Sequence, residues 1–593
     1  MYFDLEQGLV VDEAQFIQTA TEAGVEASLL DDFLHCFVLI GNTRKVVLVG
    51  KTIALLRKQH YPVSLPELSE ILRISYLKFS GTDGIRGIVD STNSLTNEQS
   101  VQVFLQERIL SPKLGALLAS GFASMLRECK PSLRQCVAIA EDGRDNSEMT
   151  GLVSAIMKAL QVQGFEVENL GVIPTPALAA WSLDKGCGAI MVTASHNPHQ
   201  YNGMKFFIEG HKLFPEGPCG EFALSFYALE SVGKKMPDCF GNPLLCDKHE
   251  QASALFVTLF GESLSVQDKE ELNGCHFVID CANGATSYVL PSLMQDLGLS
   301  FQLVSEKPGK QAINKDCGAA LFEGIYSVCT AQSTLSPLVT SLFAIGPRYR
   351  NKRVFGIALD GDGDRGMVLV PNSEGSAVSV LHGDELLLLV SRRSVGLSGV
   401  IRVTIESDSA ICSALKALSP DFAIEVTGVG DRHLSLPPAD AASLLAGGED
   451  SGHLVFPVQV GKGTLFSGNG LLSALVSISV LVAEKLTLPL FVRKGVDKRS
   501  VGLQNTGLWY SHSVLWNEVE SAVAKYFCDA LTAVRFACEP DMLSYRTEDD
   551  DLLYVRASGT EPKLNVSFTH IGDTGFNMLV QSILGICASC ENS

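Results

Sequence analysis

From about residue 76 onward, short apolar runs alternate with amphipathic stretches: CVAIA at 136–140, GAIMV at 188–192, HFVIDC at 276–281 and VFGIAL at 354–359. Runs of this length, rich in Val and Ile and followed by a helical pattern, predict buried strands leading into helices. Repeated along the chain, that order predicts α/β domains with mixed or parallel sheets. A loop rich in Gly, Asp, Asn or Ser follows each run, at the strand end where such sheets usually bind ligands. Residues 1–75 differ, reading mainly as amphipathic helix around the run FLHCFVLIG, with a Pro-rich break from Tyr61 to Pro66. They look like an added N-terminal helical extension. The tract GLLSALVSISVLVA at 470–483 contains three serines and is shorter than the ~18 residues of a membrane span, so it predicts a buried helix.

Length and charge narrow the picture. At 593 residues the chain has room for roughly four domains. Its formal charge of -20 argues against nucleic acid or an anionic membrane as partner, since both need clustered Lys and Arg. Any anionic ligand must then be met by local cations. The start, MYFDLEQGLVVDEAQF, is acidic where a secretory signal needs basic residues, so export is not expected. Sixteen cysteines scattered singly fit reduced, buried thiols of a cytoplasmic protein. The one CxxC, Cys587 and Cys590, has no second pair or histidine cluster beside it and reads as structural. VVLVGKT at 46–52 imitates the end of a phosphate-binding P-loop, but Lys45 stands where the motif needs glycine.

Four loops carry chemistry. VTASHNPHQYNGMKFF at 192–207 exposes Ser195 and His196 in a turn with no GxSxG elbow, and with Lys205 downstream. DGDGDR at 360–365 sets Asp360, Asp362 and Asp364 two residues apart after a strand, so that one tight loop can turn three oxygen donors toward a hard cation such as Mg²⁺. An EF-hand is excluded, because Arg365 and Pro371 occupy its glycine and glutamate positions. An aspartyl-phosphate phosphatase is an outside reading of the same aspartates. GGEDSGH at 447–453 combines flexible glycines with Glu449, Ser451 and His453, which suit the hydroxyls of a sugar. RASGTEP at 556–562 offers Arg556, Ser558 and Thr560 around Gly559, an anion cradle of guanidinium, hydroxyls and loop N–H groups. Two further loops hold one arginine each: Arg86 in GTDGIRG is placed to face a phosphate, and Arg144 in EDGRDNS reads as a brace.

In this order the four loops resemble the α-D-phosphohexomutase superfamily, which includes phosphoglucomutase, phosphomannomutase/phosphoglucomutase and phosphoglucosamine mutase. GVIPTPAL at 171–178, DCANGA at 280–285, INKDCGA at 313–319 and VGDRHL at 429–434 resemble it too, and the likeness covers residues 76–593. It implies three similar mixed-sheet α/β domains, at 76–222, 223–373 and 374–492, and a smaller C-terminal α/β domain at 493–593. Each carries one loop. It also implies that Ser195 is carried as phosphoserine, with Mg²⁺ between that phosphate and Asp360, Asp362 and Asp364. The phosphoryl group passes to a hexose phosphate through a hexose 1,6-bisphosphate, which also serves as activator. Arg86, Arg365 and Lys205 are the electrostatic set, and His196 helps place or protonate the phosphate. Glu449, Ser451 and His453 hold the sugar, while Arg556, Ser558, Gly559 and Thr560 grip the phosphate not being transferred. The expected protein is a cytoplasmic, monomeric or homodimeric mutase of the phosphomannomutase/phosphoglucomutase type acting on glucose or mannose phosphates. Phosphoglucosamine mutase is the alternative, with a sugar phosphatase or non-catalytic sugar-phosphate sensor more distant. Two residues depart from the family pattern: Ala557 where many members have Pro, and Asn469 where Asp is frequent.

Overall fold

The four apolar runs become the strands Cys136–Glu141, Gly188–Val192, Cys275–Asp280 and Arg353–Leu359, and the serine-bearing tract becomes the helix Gly470–Ala483. The computed structural model describes residues 37–40, 43–46, 79 and 84–592, apart from 91–94, 215–218, 233–242, 310, 346–351, 436–442, 462, 504–507, 510–512, 528–530, 537–541, 549–550, 559–562 and 570–572. The chain divides into two compact units, Met1–Val172 with Leu178–Ala252 and Ile173–Ala177 with Ser253–Ser593. Within the N-terminal extension, read as mainly helical, the described residues are two antiparallel strands, Phe37–Ile40 and Thr43–Val46. The Phe-Val-Leu-Ile run there follows its β preference. The rest of the extension, with the P-loop-like stretch beyond Val46, lies outside the described residues.

The first unit holds an eight-stranded mixed sheet. In spatial order its strands are Cys246–Asp247, Glu166–Val172, Cys136–Glu141, Gly188–Val192, Tyr201–Ile208, Ile85–Val89 and Ile109–Leu110, with His211–Lys212 added against Tyr201–Ile208. The first four run parallel, and Tyr201–Ile208 then reverses against Gly188–Val192. The helix Pro112–Cys129 starts at a Ser111 cap with Pro at its first position and buries most of its length. It seats Phe122 on Phe206 of the sheet with ring centroids 5.1 Å apart.

The second unit contains three larger sheets. A six-stranded sheet has the order Ser300–Val304, Cys275–Asp280, Arg353–Leu359, Gly366–Pro371, Ala377–Leu381, Ser327–Cys329. A four-stranded sheet has the order Phe422–Thr427, Gly399–Thr404, Leu444–Glu449, His453–Val455. Both begin with parallel neighbours and then turn back as an antiparallel hairpin, repeating the layout of the first unit. The five-stranded sheet Asp497–Gly502, Lys563–Phe568, Leu552–Ala557, Leu543–Arg546, Thr532–Ala533 is antiparallel throughout. Its core takes in Cys587 and Cys590 from the helix Thr574–Asn592, so the CxxC packs as apolar side chains. Asn469 accepts a hydrogen bond from the Leu472 N–H at 3.1 Å and caps the helix Gly470–Ala483, doing what Asp would do there.

One half-buried arginine fixes the segment leading into the last sheet. Arg493 donates from Nε to Glu385 Oε1 at 2.7 Å and from Nη2 to Asp450 Oδ1 at 2.7 Å, with Asp384 3.7 Å away. Its guanidinium also lies over the rings of Tyr326 and Phe491. Burial works against its charge, yet Glu385, Asp450 and Asp384 together hold its pKa above the usual arginine range. Removing one member of such a cluster leaves the others buried without compensation. Arg493→Ala is therefore expected to lower stability by about 3 kcal/mol in urea unfolding. Arg493→Lys should fall between, because an ammonium keeps the charge but loses the fork. An unchanged midpoint for the alanine variant would show that the cluster does not hold this segment.

Candidate active site

Each of the four chemical loops is the reversal of an antiparallel strand pair. Pairing of Val192 with Met204 leaves 193–203 as the serine loop. Ser195, expected to be exposed in this turn, is instead fully buried, and its φ of 52° lies in the left-handed region, uncommon for a residue other than glycine. Its N–H donates to Thr193 Oγ1 at 2.7 Å, and its carbonyl accepts from Arg144 Nη2 at 2.7 Å. Arg144 also donates to the carbonyls of Pro198 at 2.7 Å and Tyr201 at 3.1 Å, and is paired with buried Asp142 at 2.8 Å. Asp142 in turn accepts from the Thr193 hydroxyl at 2.6 Å. Arg144 is thus a brace, as its loop suggested, and what it braces is the serine loop itself. Arg86 stands in register with Gly203 on the neighbouring strand and donates from Nη1 to Asn197 Oδ1 at 3.0 Å. Lys205 is two residues beyond Gly203 on the same strand face and is buried, while His196 is half-buried.

In the second unit, pairing of Leu359 with Gly366 leaves DGDGDR as a six-residue turn. Asp360, Asp362 and Asp364 are all fully buried, with one carboxylate oxygen of each within 4.8 Å of the others. That is the donor set a hard divalent cation takes. The stretches between the loops prove to be supports for this turn. Thr175 of GVIPTPAL donates its hydroxyl to Asp362 Oδ2 at 2.5 Å and its N–H to the Asp362 carbonyl at 2.9 Å. Ala285 of DCANGA donates its N–H to the Gly361 carbonyl at 2.8 Å. Gly284 leaves no room for a side chain, since a Cβ there would fall 2.1 Å from the Gly361 oxygen. Asp280 accepts from the N–H groups of Ala282 and of Gly318 in INKDCGA. Burial opposes the Arg365 charge, but Glu449, Asp360, Asp364 and Glu323 raise its pKa above the ordinary range, so it stays protonated at any working pH.

The sugar loop is tighter than its glycines suggested. Glu449 pairs with His453 across the hairpin, and Ser451 donates to Glu449 Oε2 at 3.1 Å. Glu449 Oε1 accepts from the Gly430 N–H at 2.7 Å. Gly447 and Gly448 lie within the strand, where Leu434 and Leu387 pack against their bare Cα atoms, so close approach rather than flexibility is their use. His453 is buried with Nε2 3.0 Å from Asp431 of VGDRHL and 4.0 Å from Asp364. Neither Thr175 nor Asp431 carries a chemical signature of its own in the sequence; the motifs GVIPTPAL and VGDRHL around them are the available signal. At the phosphate loop, Arg556 is the penultimate residue of the strand Leu552–Ala557, and Ser558 donates its N–H to the Lys563 carbonyl at 2.9 Å. Gly559 and Thr560 lie outside the described residues.

Residues 78–217 match the family model described as phosphoglucomutase/phosphomannomutase, alpha/beta/alpha domain I. A phosphoglucosamine mutase of Chromohalobacter salexigens is 30% identical over 502 residues, 82% of this chain and 93% of its own. One of Limosilactobacillus reuteri is 28% identical over 505 residues, 83% of this chain and 93% of its own. In fold, the chain is similar to a phosphoglucomutase/phosphomannomutase family protein of Burkholderia thailandensis, with a TM-score of 0.57 and 17% identity over 87% of this chain and 98% of that one. On this alignment with relatives over nearly their whole length, and on four loops in the family's order, the chain belongs to the α-D-phosphohexomutase superfamily.

Proposed function

We propose that the chain is a Mg²⁺-dependent phosphohexomutase that interconverts the 1- and 6-phosphates of a hexose, with glucosamine phosphate as the preferred sugar. The observation that carries the reaction class is the set of three fully buried carboxylates at one turn beside the permanently charged Arg365. Sequence motifs alone favoured glucose or mannose. Relatives that align over most of the chain, those of Chromohalobacter salexigens and Limosilactobacillus reuteri among them, are phosphoglucosamine mutases, and this supports the glucosamine reading over the other two.

In this reading Asp360, Asp362 and Asp364, with Ser195, hold Mg²⁺, which supplies charge neutralisation for the phosphoryl oxygens. Ser195 carries the phosphoryl group, and its O–P bond breaks as a bond forms to a sugar hydroxyl oxygen. The hydroxyl proton passes to a base drawn from His196, Lys205, Glu449 and His453. The resulting 1,6-bisphosphate turns over and returns its other phosphoryl group to Ser195. Arg86, Lys205 and Arg365 stabilise the charge that builds up on the transferred group, where positioning and electrostatics do most of the catalysis. Glu449, Ser451 and His453 hold the sugar hydroxyls, and Arg556, Ser558, Gly559 and Thr560 the phosphate that stays. The division into domains at 222, 373 and 492 belongs to the same reading, as does work in a reducing cytoplasm.

A coupled assay of glucosamine, glucose and mannose 1-phosphates with Mg²⁺ and a trace of the bisphosphate tests the assignment. Glucosamine 1-phosphate should give the highest kcat/KM, and Ser195→Ala should lose at least about a thousandfold in kcat. Isomerisation by Ser195→Ala at the parental rate would sink the phosphoserine mechanism. Release of inorganic phosphate without isomerisation would make the protein a phosphatase. Chelation should abolish turnover and added Mg²⁺ restore it. Asp362→Asn should raise the Mg²⁺ concentration needed for half-maximal rate by about tenfold or more, because it removes a charged ligand. Gly284→Ala should raise it too, by displacing the Gly361 carbonyl; an unchanged Mg²⁺ requirement in both variants would exclude the aspartate turn as the metal site.

A further inference from the structure

Arg556, the guanidinium assigned to the phosphate cradle, is already paired with a carboxylate from another sheet. Glu406 follows the strand Gly399–Thr404, and its Oε1 accepts from Arg556 Nη2 at 3.1 Å and from the Tyr554 hydroxyl at 3.3 Å. Lys498 Nζ lies 3.4 Å from the other oxygen, Oε2. Tyr554 and Arg556 alternate on one face of the strand Leu552–Ala557, and Lys498 comes from the strand Asp497–Gly502. Three donors on two strands of the last sheet therefore converge on one side chain that is not part of it.

The position of Glu406 is built in. Its neighbour Ile405 is buried in a cluster with Val429, Met542, Leu552 and Tyr554. Asp408, two residues on, accepts from the N–H groups of Lys494 at 3.2 Å and Gly495 at 2.8 Å, and it also caps the helix Ser409–Leu418. Burial pushes the Glu406 pKa up, but Lys498 and Arg556 outweigh it and bring the group down to about 2, so it is an anion at any working pH. Two cations and a phenol surround a single negative charge. The same donors match the oxygens and double charge of a phosphate monoester at least as well.

We propose that Glu406 is an internal stand-in for the substrate phosphate, which displaces it from a cradle formed by Arg556, Lys498 and Tyr554. Lys498 and Tyr554 are then phosphate ligands in addition to Arg556. Each binding event exchanges a carboxylate held by the protein for the phosphate of the sugar, so the cradle is never without an anion. The inference rests on the phosphate-loop reading of Arg556 given above.

Binding of inorganic phosphate to the full chain, measured by calorimetry, separates the two. Glu406→Gln keeps the shape and removes the charge, and should tighten phosphate binding by about tenfold, the worth of one charge-assisted hydrogen bond in competition. Glu406→Met should do the same and guards against a local effect of the glutamine amide. Lys498→Ala and Arg556→Ala should each weaken binding by about tenfold or more, and Tyr554→Phe by less. If both Glu406 variants bind phosphate as weakly as the parent or more weakly, Glu406 positions Arg556 and the proposal is overturned. If Arg556→Ala leaves binding unchanged, the phosphate-loop reading itself is wrong, whatever the Glu406 variants do.

Discussion

A carboxylate held away from water stays charged only where a cation or several N–H groups answer it, and this constraint shapes every working loop of a chain whose net charge is -20. In the serine loop Arg144 answers Asp142. At the metal turn Arg365 faces Glu449, Asp360 and Asp364. Ahead of the last sheet Arg493 answers Glu385 and Asp450, and on that sheet Arg556 answers Glu406. A guanidinium serves each time, because its planar fork reaches several partners at once where an ammonium is a point charge. Arg144 does this most fully, joining one carboxylate to three loop carbonyls. At the aspartate turn three fully buried carboxylates of one loop gather around a single arginine, and that deficit is what a divalent ion would fill.

The hairpin is the second shared device. A strand turning straight back on its neighbour fixes both ends of a loop by backbone pairing, so three to eleven residues can hold unusual conformations without fraying. Ser195 in the left-handed region is the clearest case. Its backbone is held on one side by the Thr193 hydroxyl and on the other by Arg144. Such a conformation persists only where its surroundings over-determine it, and that in turn fixes the direction in which the serine presents its oxygen.

Much of this was legible in the sequence because it depends on local pattern. Apolar runs located the strands, since a buried strand must be apolar whatever surrounds it. The alternating aspartates marked the buried carboxylate turn, because three acids at that spacing after a strand fall on one tight reversal. What stayed hidden depends on contacts far apart along the chain. Thr175 reaches Asp362 across 187 positions, and Asp431 meets His453 through the fold of one sheet. Glu406 sits in IESDSA, a stretch with no chemical signature, and gains its meaning only from Arg556, 150 positions away. Composition also misled on the glycines of GGEDSGH, which suggest flexibility but are used for contact. In the N-terminal extension, FLHCFVLIG carries both helical and strand tendencies, and its last four apolar residues formed a strand.

The glycines of the metal and sugar loops show why these two loops work as one body. Gly366 donates its N–H to the Gly452 carbonyl at 3.0 Å, and Gly470 donates to the Gly363 carbonyl at 3.1 Å. A Cβ on Gly452 would fall 2.4 Å from the Gly366 oxygen, and one on Gly470 would fall 2.0 Å from the Arg365 oxygen. Backbone therefore lies directly on backbone, with no side chain between the turn that carries the aspartates and the hairpin that carries Glu449 and His453. A shift of the sugar loop would have to drag Arg365 and the metal turn with it. The strand that carries Arg556 is joined to its neighbouring sheet differently, through the side-chain charge of Glu406 and through the small apolar cluster around Ile405. Side-chain ion pairs can exchange partners, whereas fused backbones cannot. On the proposed reaction, adjustment to the sugar phosphate would thus fall to the ion pairs of Arg556, while the aspartate turn and the hairpin of Glu449 and His453 keep their mutual geometry.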